Sequence, residues 1–217
     1  MESPTHPAEQ SHIIWIKKNT TNRTLAPQIE QLIRTHVDTA KKMSGQELVN
    51  ASKTAMLSVS QPLLQKSIKL SVSESCTGGM LSAHIVSISG ISEIYEGGVV
   101  SYSNHVKEKV LGVSSESIDG PGAVSHETAV EMATGVSTLM ETHCGLSTTG
   151  VAGPLGGTPT KPVGLVYAGF SFPQLSFSAR YELWPDDGAY ERQDIREMTC
   201  FVSLSLLRSL IEEVHVI

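Results

Sequence analysis

From Pro27 to Met43 the apolar residues Ile29, Leu32, Ile33 and Val37 recur at helical spacing. From Gly45 to Gln65 Leu48, Ala51, Ala55 and Leu57 do so less cleanly, so two helices are predicted. Ile68 to Val72 alternates apolar and polar residues as a strand does, and Thr77 to Val86 then supplies a helix with Leu81, Ile85 and Ile88 on one side. Val99 to Ser101 continues the sheet. Asn104 reads as the cap of a short helix that carries Val106, Val110 and Leu111 inward and points Lys107 elsewhere. Beyond a loop at Gly120-Pro121-Gly122, Ser125 caps a long helix striped by Ala129, Ala133, Val136 and Met140. Leu146 to Thr149 ends a strand at a glycine-rich loop, and Val163 to Phe172 and Leu175 to Trp184 form two strands joined at Pro173-Gln174. A last helix presents Ile195, Met198, Val202, Leu206 and Leu210 on one face.

Strands and helices alternating at this pitch predict a layered α/β/α single domain, with the late hairpin adding antiparallel strands to a mixed sheet. That domain is expected over 46–217. Residues 1–45 are set apart as an N-terminal extension, partly disordered or helical. Its first 24 residues are polar, with Pro4, Pro7 and the run Lys17-Lys18-Asn19-Thr20-Thr21-Asn22, interrupted by Ile13-Ile14-Trp15-Ile16, a short strand or a docking segment.

Composition narrows the classes of function. A formal charge of −6 without a Lys/Arg block argues against a nucleic-acid surface, which needs a clustered basic face. Cys76, Cys144 and Cys200 are too few and too scattered for a disulfide framework or a C-x-x-C site. The N-terminus lacks the basic and apolar regions of a secretory signal, and no stretch reaches the roughly eighteen apolar residues of a membrane span. A soluble, cytoplasmic protein is expected.

The chemistry centres on Ser73-Glu74-Ser75-Cys76-Thr77-Gly78-Gly79, which reads as a strand, a sharp turn and a helix start. Such a junction holds a serine hydroxyl at the open end of a sheet, with helix amides aimed at whatever the serine attacks. Taken alone it is also a common turn without chemistry. It is accompanied, in order, by Tyr102-Ser103-Asn104-His105-Val106-Lys107, by Thr148-Thr149-Gly150-Val151-Ala152-Gly153-Pro154-Leu155-Gly156-Gly157-Thr158-Pro159, by Lys161-Pro162-Val163-Gly164, and by Arg192 and Arg196. The glycine-rich loop is neither a Walker A loop nor a dinucleotide fingerprint.

In content, order and spacing these segments resemble the CinA carboxy-terminal family, whose stand-alone members include nicotinamide mononucleotide deamidases. The resemblance runs from about Gln46 to about Leu210. It implies an amidohydrolase in which Ser75 is the nucleophile and Lys107 its base, with Tyr102 and Ser92 also at active-site positions. Thr77, Gly78 and Gly79 would flank the reacting carbonyl. Thr149, Gly150 and Gly153 would contact the substrate, Arg192 would reach its phosphate, and Arg196 is the reserve for that task. The resemblance implies no metal and no cofactor, a small-molecule nucleotide as ligand, no nucleic acid or membrane partner, and a homo-oligomer.

Cys76 competes with Ser75 as nucleophile, since thiolates are intrinsically better, but the family pattern keeps the serine. His84, His105, His126 and His143 lack triad-like or metal-ligand spacing and are expected on the surface or on helices. Where the family commonly reads Gly-Asp-Arg before the last helix, this chain has Tyr190-Glu191-Arg192, which leaves the placement of Arg192 open. The rival function is a nucleotide-binding or interaction protein of the same fold, linked to competence or DNA damage.

Overall fold

The computed structural model describes residues 14–16, 25–183 and 190–214; Trp184, the predicted end of the last strand, lies outside them. The strands are β1 (Ile14–Ile16), β2 (Leu70–Glu74), β3 (Tyr95–Val100), β4 (Cys144–Gly150), β5 (Leu165–Ser171) and β6 (Ser176–Glu182). They form one mixed sheet in the order β1-β6-β5-β4-β2-β3. β2 runs parallel to β3 and β4, whereas β4, β5, β6 and β1 pair antiparallel. The helices are α1 (Ala26–Ala40), α2 (Gly45–Gln65), α3 (Met80–Val86), α4 (Asn104–Leu111), α5 (Ser115–Asp119), α6 (His126–Leu139) and α7 (Arg192–Glu212). A layered α/β domain with a mixed sheet is therefore what the chain forms.

All five residues of β2 are buried, although they alternate apolar with polar. The reason lies in the two helical layers. Leu70 and Val72 of β2, Leu146 of β4 and Val166, Ala168 and Phe170 of β5 enter the core shared with α1, α2, α3 and α7. The alternate residues meet α6 instead. Ser73 Oγ donates to the Met132 carbonyl at 3.1 Å and Ser147 Oγ to the Ala129 carbonyl at 2.6 Å. The polar half of the alternation is thus satisfied by α6 backbone rather than by water. α6 lies so close that a Cβ on Gly145 or Gly169 would sit 2.0 Å from the Ala133 or Ala129 carbonyl oxygen.

α1 falls within the stretch set apart as an extension, yet Ile29, Ile33, Val37 and Ala40 join the same core as the sheet. Its packing partner is α7. In α2 the inward stripe is Leu48, Ala55, Met56, Val59 and Leu63, while Leu57, assigned to the stripe from spacing, is exposed. β3 begins earlier than expected because Gly97 and Gly98 mask a strand on propensity, and both glycines answer to crowding. A Cβ on Gly98 would meet Tyr95 Oη at 2.6 Å. α5 was not predicted at all. No helix among the described residues is long and apolar enough to cross a membrane.

Gly169→Ala should cost roughly 1–3 kcal/mol, because backbone rather than a yielding side chain opposes the added methyl. Denaturant unfolding checks this; a midpoint equal to wild type would contradict the close approach of α6.

Candidate active site

β2 delivers the serine to the carboxyl end of the sheet. The Ser75 amide donates to the Thr148 carbonyl at 2.9 Å and prolongs the strand pairing by one residue. The chain then turns through Cys76–Gly79, with Gly78 and Gly79 at φ +58° and +94°, a region that costs glycine little. α3 opens only at Met80, not at Thr77 as predicted.

The amides at this turn are apportioned unexpectedly. Glu74, fully buried at the end of β2, accepts from the amides of Gly79 (2.9 Å), Leu81 (3.0 Å) and Ser82 (2.8 Å) and from Ser82 Oγ (2.6 Å). The start of α3 is therefore occupied by a resident carboxylate and does not face a ligand, contrary to the sequence reading. Among the described residues the amides of Thr77 and Gly78 meet no main-chain acceptor, whereas the Cys76 amide is turned to its own thiol. From the other side, Arg196 Nε and Nη2 donate to the Thr77 carbonyl at 3.2 and 2.6 Å. The Thr77 and Thr148 hydroxyls meet at 2.7 Å.

α4 supplies the amine. Its cap is Ser103, whose Oγ accepts from the Val106 amide, and not Asn104, which is the first helical residue. Lys107, expected to point away from the core, shares the inward face with Leu111, one turn on, while Val110 is exposed. Lys107 is 1% exposed. Its Nζ lies 3.1 Å from Ser75 Oγ, 2.7 Å from the Ser101 carbonyl and 3.4 Å from the Tyr102 carbonyl. None of these partners is charged. Desolvation accordingly lowers the Lys107 pKa from its ordinary value. A neutral amine has two N–H donors and one lone pair. Nζ donates to the two carbonyls and to Ser75 Oγ, and once the amine is neutral its lone pair can accept from that hydroxyl instead.

Beside Ser75, the buried Cys76 thiol is pushed up to about 12, first by burial. At neutral pH it is protonated, so the better intrinsic nucleophile is held inactive.

Ser75, Lys107, Tyr102, Thr149, Gly150, Gly153 and Arg192 line one cleft of about 300 Å³ together with Cys76, Asn104 and Leu155. Arg192 is the first residue of α7, whose N-cap Glu191 forms reciprocal bonds with Asp194. The altered tripeptide thus works as a helix cap and still brings Arg192 to the cleft. Its guanidinium donates to the Gly153 carbonyl at 2.6 Å and to Tyr102 Oη at 3.3 Å. Gly150 and Gly153 are also demanded by packing, since a Cβ there would lie 2.6 Å from the Leu165 carbonyl oxygen or 2.4 Å from Val163. Thr149 turns its hydroxyl onto the Ala123 carbonyl at 2.7 Å.

Other predicted site residues lie elsewhere. Arg196 does not line the cleft; it holds the Thr77 carbonyl. Thr77, Gly78 and Gly79 form the turn behind Ser75 rather than the cleft wall. Ser92 is exposed in the 3₁₀ turn Ile91–Glu93 that precedes β3. Because β3 runs parallel to β2, that turn sits at the sheet end opposite Ser75. Glu74 and Leu155 escaped the sequence reading. Two of the four histidines are helical but buried: His84 of α3 pairs with Glu197 of α7 at 2.8 Å, and His126 Nδ1 meets Ser178 Oγ at 2.6 Å. Among the described residues no cluster of His, Cys, Asp or Glu could hold a metal ion.

Residues 52–211 match the CinA C-terminal domain. A CinA-like protein of Nostoc sp. is 44% identical over 177 residues, which cover 77% of this chain and 41% of that relative. The chain thus spans less than half that relative's length. Among solved structures, competence/damage inducible protein CihA of Agrobacterium tumefaciens superposes with TM-score 0.70 at 30% identity, covering 75% of this chain and 96% of that one. The competence damage-inducible protein A of Klebsiella pneumoniae does so with TM-score 0.70 at 26% identity, covering 75% and 98%. With the sheet order, the serine turn and the extent of the match in agreement, the chain belongs to the CinA C-terminal domain family.

Proposed function

We propose that the protein is an amidohydrolase that converts nicotinamide mononucleotide to nicotinate mononucleotide and ammonia through an acyl-Ser75 intermediate. The observation that carries this reading is the desolvated Lys107 amine, 3.1 Å from Ser75 Oγ and bracketed by two carbonyls. Ser75 Oγ attacks the carboxamide carbon while its proton passes to Lys107 Nζ. The carbonyl oxygen takes up negative charge, which main-chain amides of the turn after Ser75 would stabilise. Collapse breaks the C–N bond, Lys107 returns the proton to the leaving nitrogen, and ammonia departs. Water then attacks the ester, giving its proton to Lys107, and the carboxylate is released. Arg192 at the cleft rim is suited to the nucleotide phosphate, since a planar guanidinium matches phosphate geometry.

The direct test is incubation of the purified protein with nicotinamide mononucleotide, scored for ammonia and nicotinate mononucleotide. Absence of both products across the pH range would favour the rival reading, nucleotide binding without turnover. Ser75→Ala should leave unfolding near wild type and reduce turnover roughly a thousand-fold or more. Near-normal turnover in that variant would transfer the nucleophile to Cys76.

Because Lys107 must be neutral to act, turnover should rise with pH through an ionisation below the ordinary lysine value of 10.5. Lys107→Arg keeps the charge but supplies no neutral base, so it should be as inactive as Lys107→Ala. An active arginine variant would reduce Lys107 to an electrostatic role. Arg192→Ala should weaken binding of the nucleotide roughly ten-fold or more while barely changing that of the dephosphorylated nucleoside. Isothermal titration of both ligands measures the difference, and equal losses would deny Arg192 the phosphate.

A further inference from the structure

Glu74 stands immediately before Ser75, is completely buried, does not line the cleft, and among the described residues forms no hydrogen bond or ion pair with Lys107 or another side-chain cation. A buried carboxylate without a counter-ion is costly unless its lone pairs are taken by donors. Here they are taken by four hydrogen bonds, all on the far side of the turn. Oε2 accepts from the Gly79 and Leu81 amides, and Oε1 from the Ser82 amide and hydroxyl. The residue thus ties the last position of β2 to the first turn of α3 across five residues whose first is Ser75. Its own carbonyl accepts from the Ser101 amide at 2.8 Å, and the carbonyl of Ser101 is the shortest contact of Lys107 Nζ. One residue therefore connects the serine-bearing turn to the strand end that orients the amine.

We propose that Glu74 is a positioning residue, whose carboxylate fixes the backbone of 75–79 so that Ser75 Oγ and Lys107 Nζ stay in hydrogen-bond contact. The inference rests on the Ser/Lys reading above but not on the identity of the substrate. Glu74→Gln is nearly isosteric and isolates the effect. Its NH₂ replaces one of two acceptor oxygens and opposes a pair of donors, either the Gly79 and Leu81 amides or the Ser82 amide and hydroxyl. The turn must then shift, and displacing a reacting group by as little as 1 Å costs up to about a hundred-fold in rate.

The test uses the full chain and phenylmethanesulfonyl fluoride, which needs no nucleotide recognition. In that reaction Ser75 Oγ forms an O–S bond, fluoride leaves, and the hydroxyl proton passes to Lys107 Nζ. Labelling at Ser75 is followed by mass spectrometry and normalised to the folded fraction. Glu74→Gln should label roughly ten- to a hundred-fold more slowly than wild type, with the midpoint of the pH profile little moved because the two carbonyls on Lys107 Nζ follow β3 and lie outside the turn that shifts. With nicotinamide mononucleotide the loss should fall on kcat, leaving KM within about two-fold. A folded Glu74→Gln that labels at the wild-type rate overturns the proposal, as does a wild type that is not labelled at Ser75. Wild type that labels but does not hydrolyse the nucleotide removes the substrate reading alone, and the labelling ratio still decides the role of Glu74. Should Glu74→Gln not fold, Ser82→Ala, which deletes one of the four bonds, decides instead. A several-fold slower labelling supports the role and an unchanged rate overturns it.

Discussion

A lysine amine buried beside neutral partners is favoured in its uncharged form, and that bias organises the carboxyl end of this sheet. Had a carboxylate stood next to Lys107, attraction would have restored the charge and removed the lone pair. The one acid in the neighbourhood that is wholly buried, Glu74, is instead saturated by the far side of the turn. The amine is left with main-chain carbonyls from the end of β3 and the Ser75 hydroxyl. Segregating the carboxylate from the amine across a single turn allows an acid next to Ser75 in sequence and an amine in contact with it in space to coexist without forming an ion pair.

α7 is the second organiser. Within its first two turns it places Arg192 in the cleft, Arg196 on the Thr77 carbonyl and Glu197 against His84 of α3. A rotation of this helix about its axis would move all three contacts together. Since α1 and α2 both pack on α7, the N-terminal helices act on the site through it, although neither lines the cleft.

Long, strongly periodic helices and apolar strands were legible in the chain because burial repeats at their own pitch, as in α6 and α7. Legibility failed where one backbone stands close to another. Ser73 and Ser147 carry no local sign of their burial, because their acceptors are carbonyls of α6, which no local pattern announces. Gly97 and Gly98 obscure β3 for a related reason, since side chains, Met140 at the first and Tyr95, Ser82 and Val72 at the second, crowd the space a Cβ would take. Lys107, flanked by Val106 and Glu108 and near Lys109, carries no local mark of burial, and only its family position singled it out. Assigning Val106 and Val110 to the inward face on apolarity sufficed to turn it outward. Glu74 was invisible because its partners are mostly amides, which every residue possesses. Ser92 was singled out only by its family position, and the parallel run of β3 puts its turn at the sheet end opposite Ser75.

The neighbour of the nucleophile carries a different consequence. Cys76, Cys144 and Cys200 are all buried and unpaired by disulfides, and burial raises the pKa of each. Thiolate is the form that peroxide, disulfides and alkylating agents attack. A chain that keeps its sulfurs protonated beside a cleft-lining serine hydroxyl offers oxidants no ready thiolate in this cleft. Serine next to a suppressed cysteine therefore makes a site whose chemistry is insulated from the redox state of its surroundings.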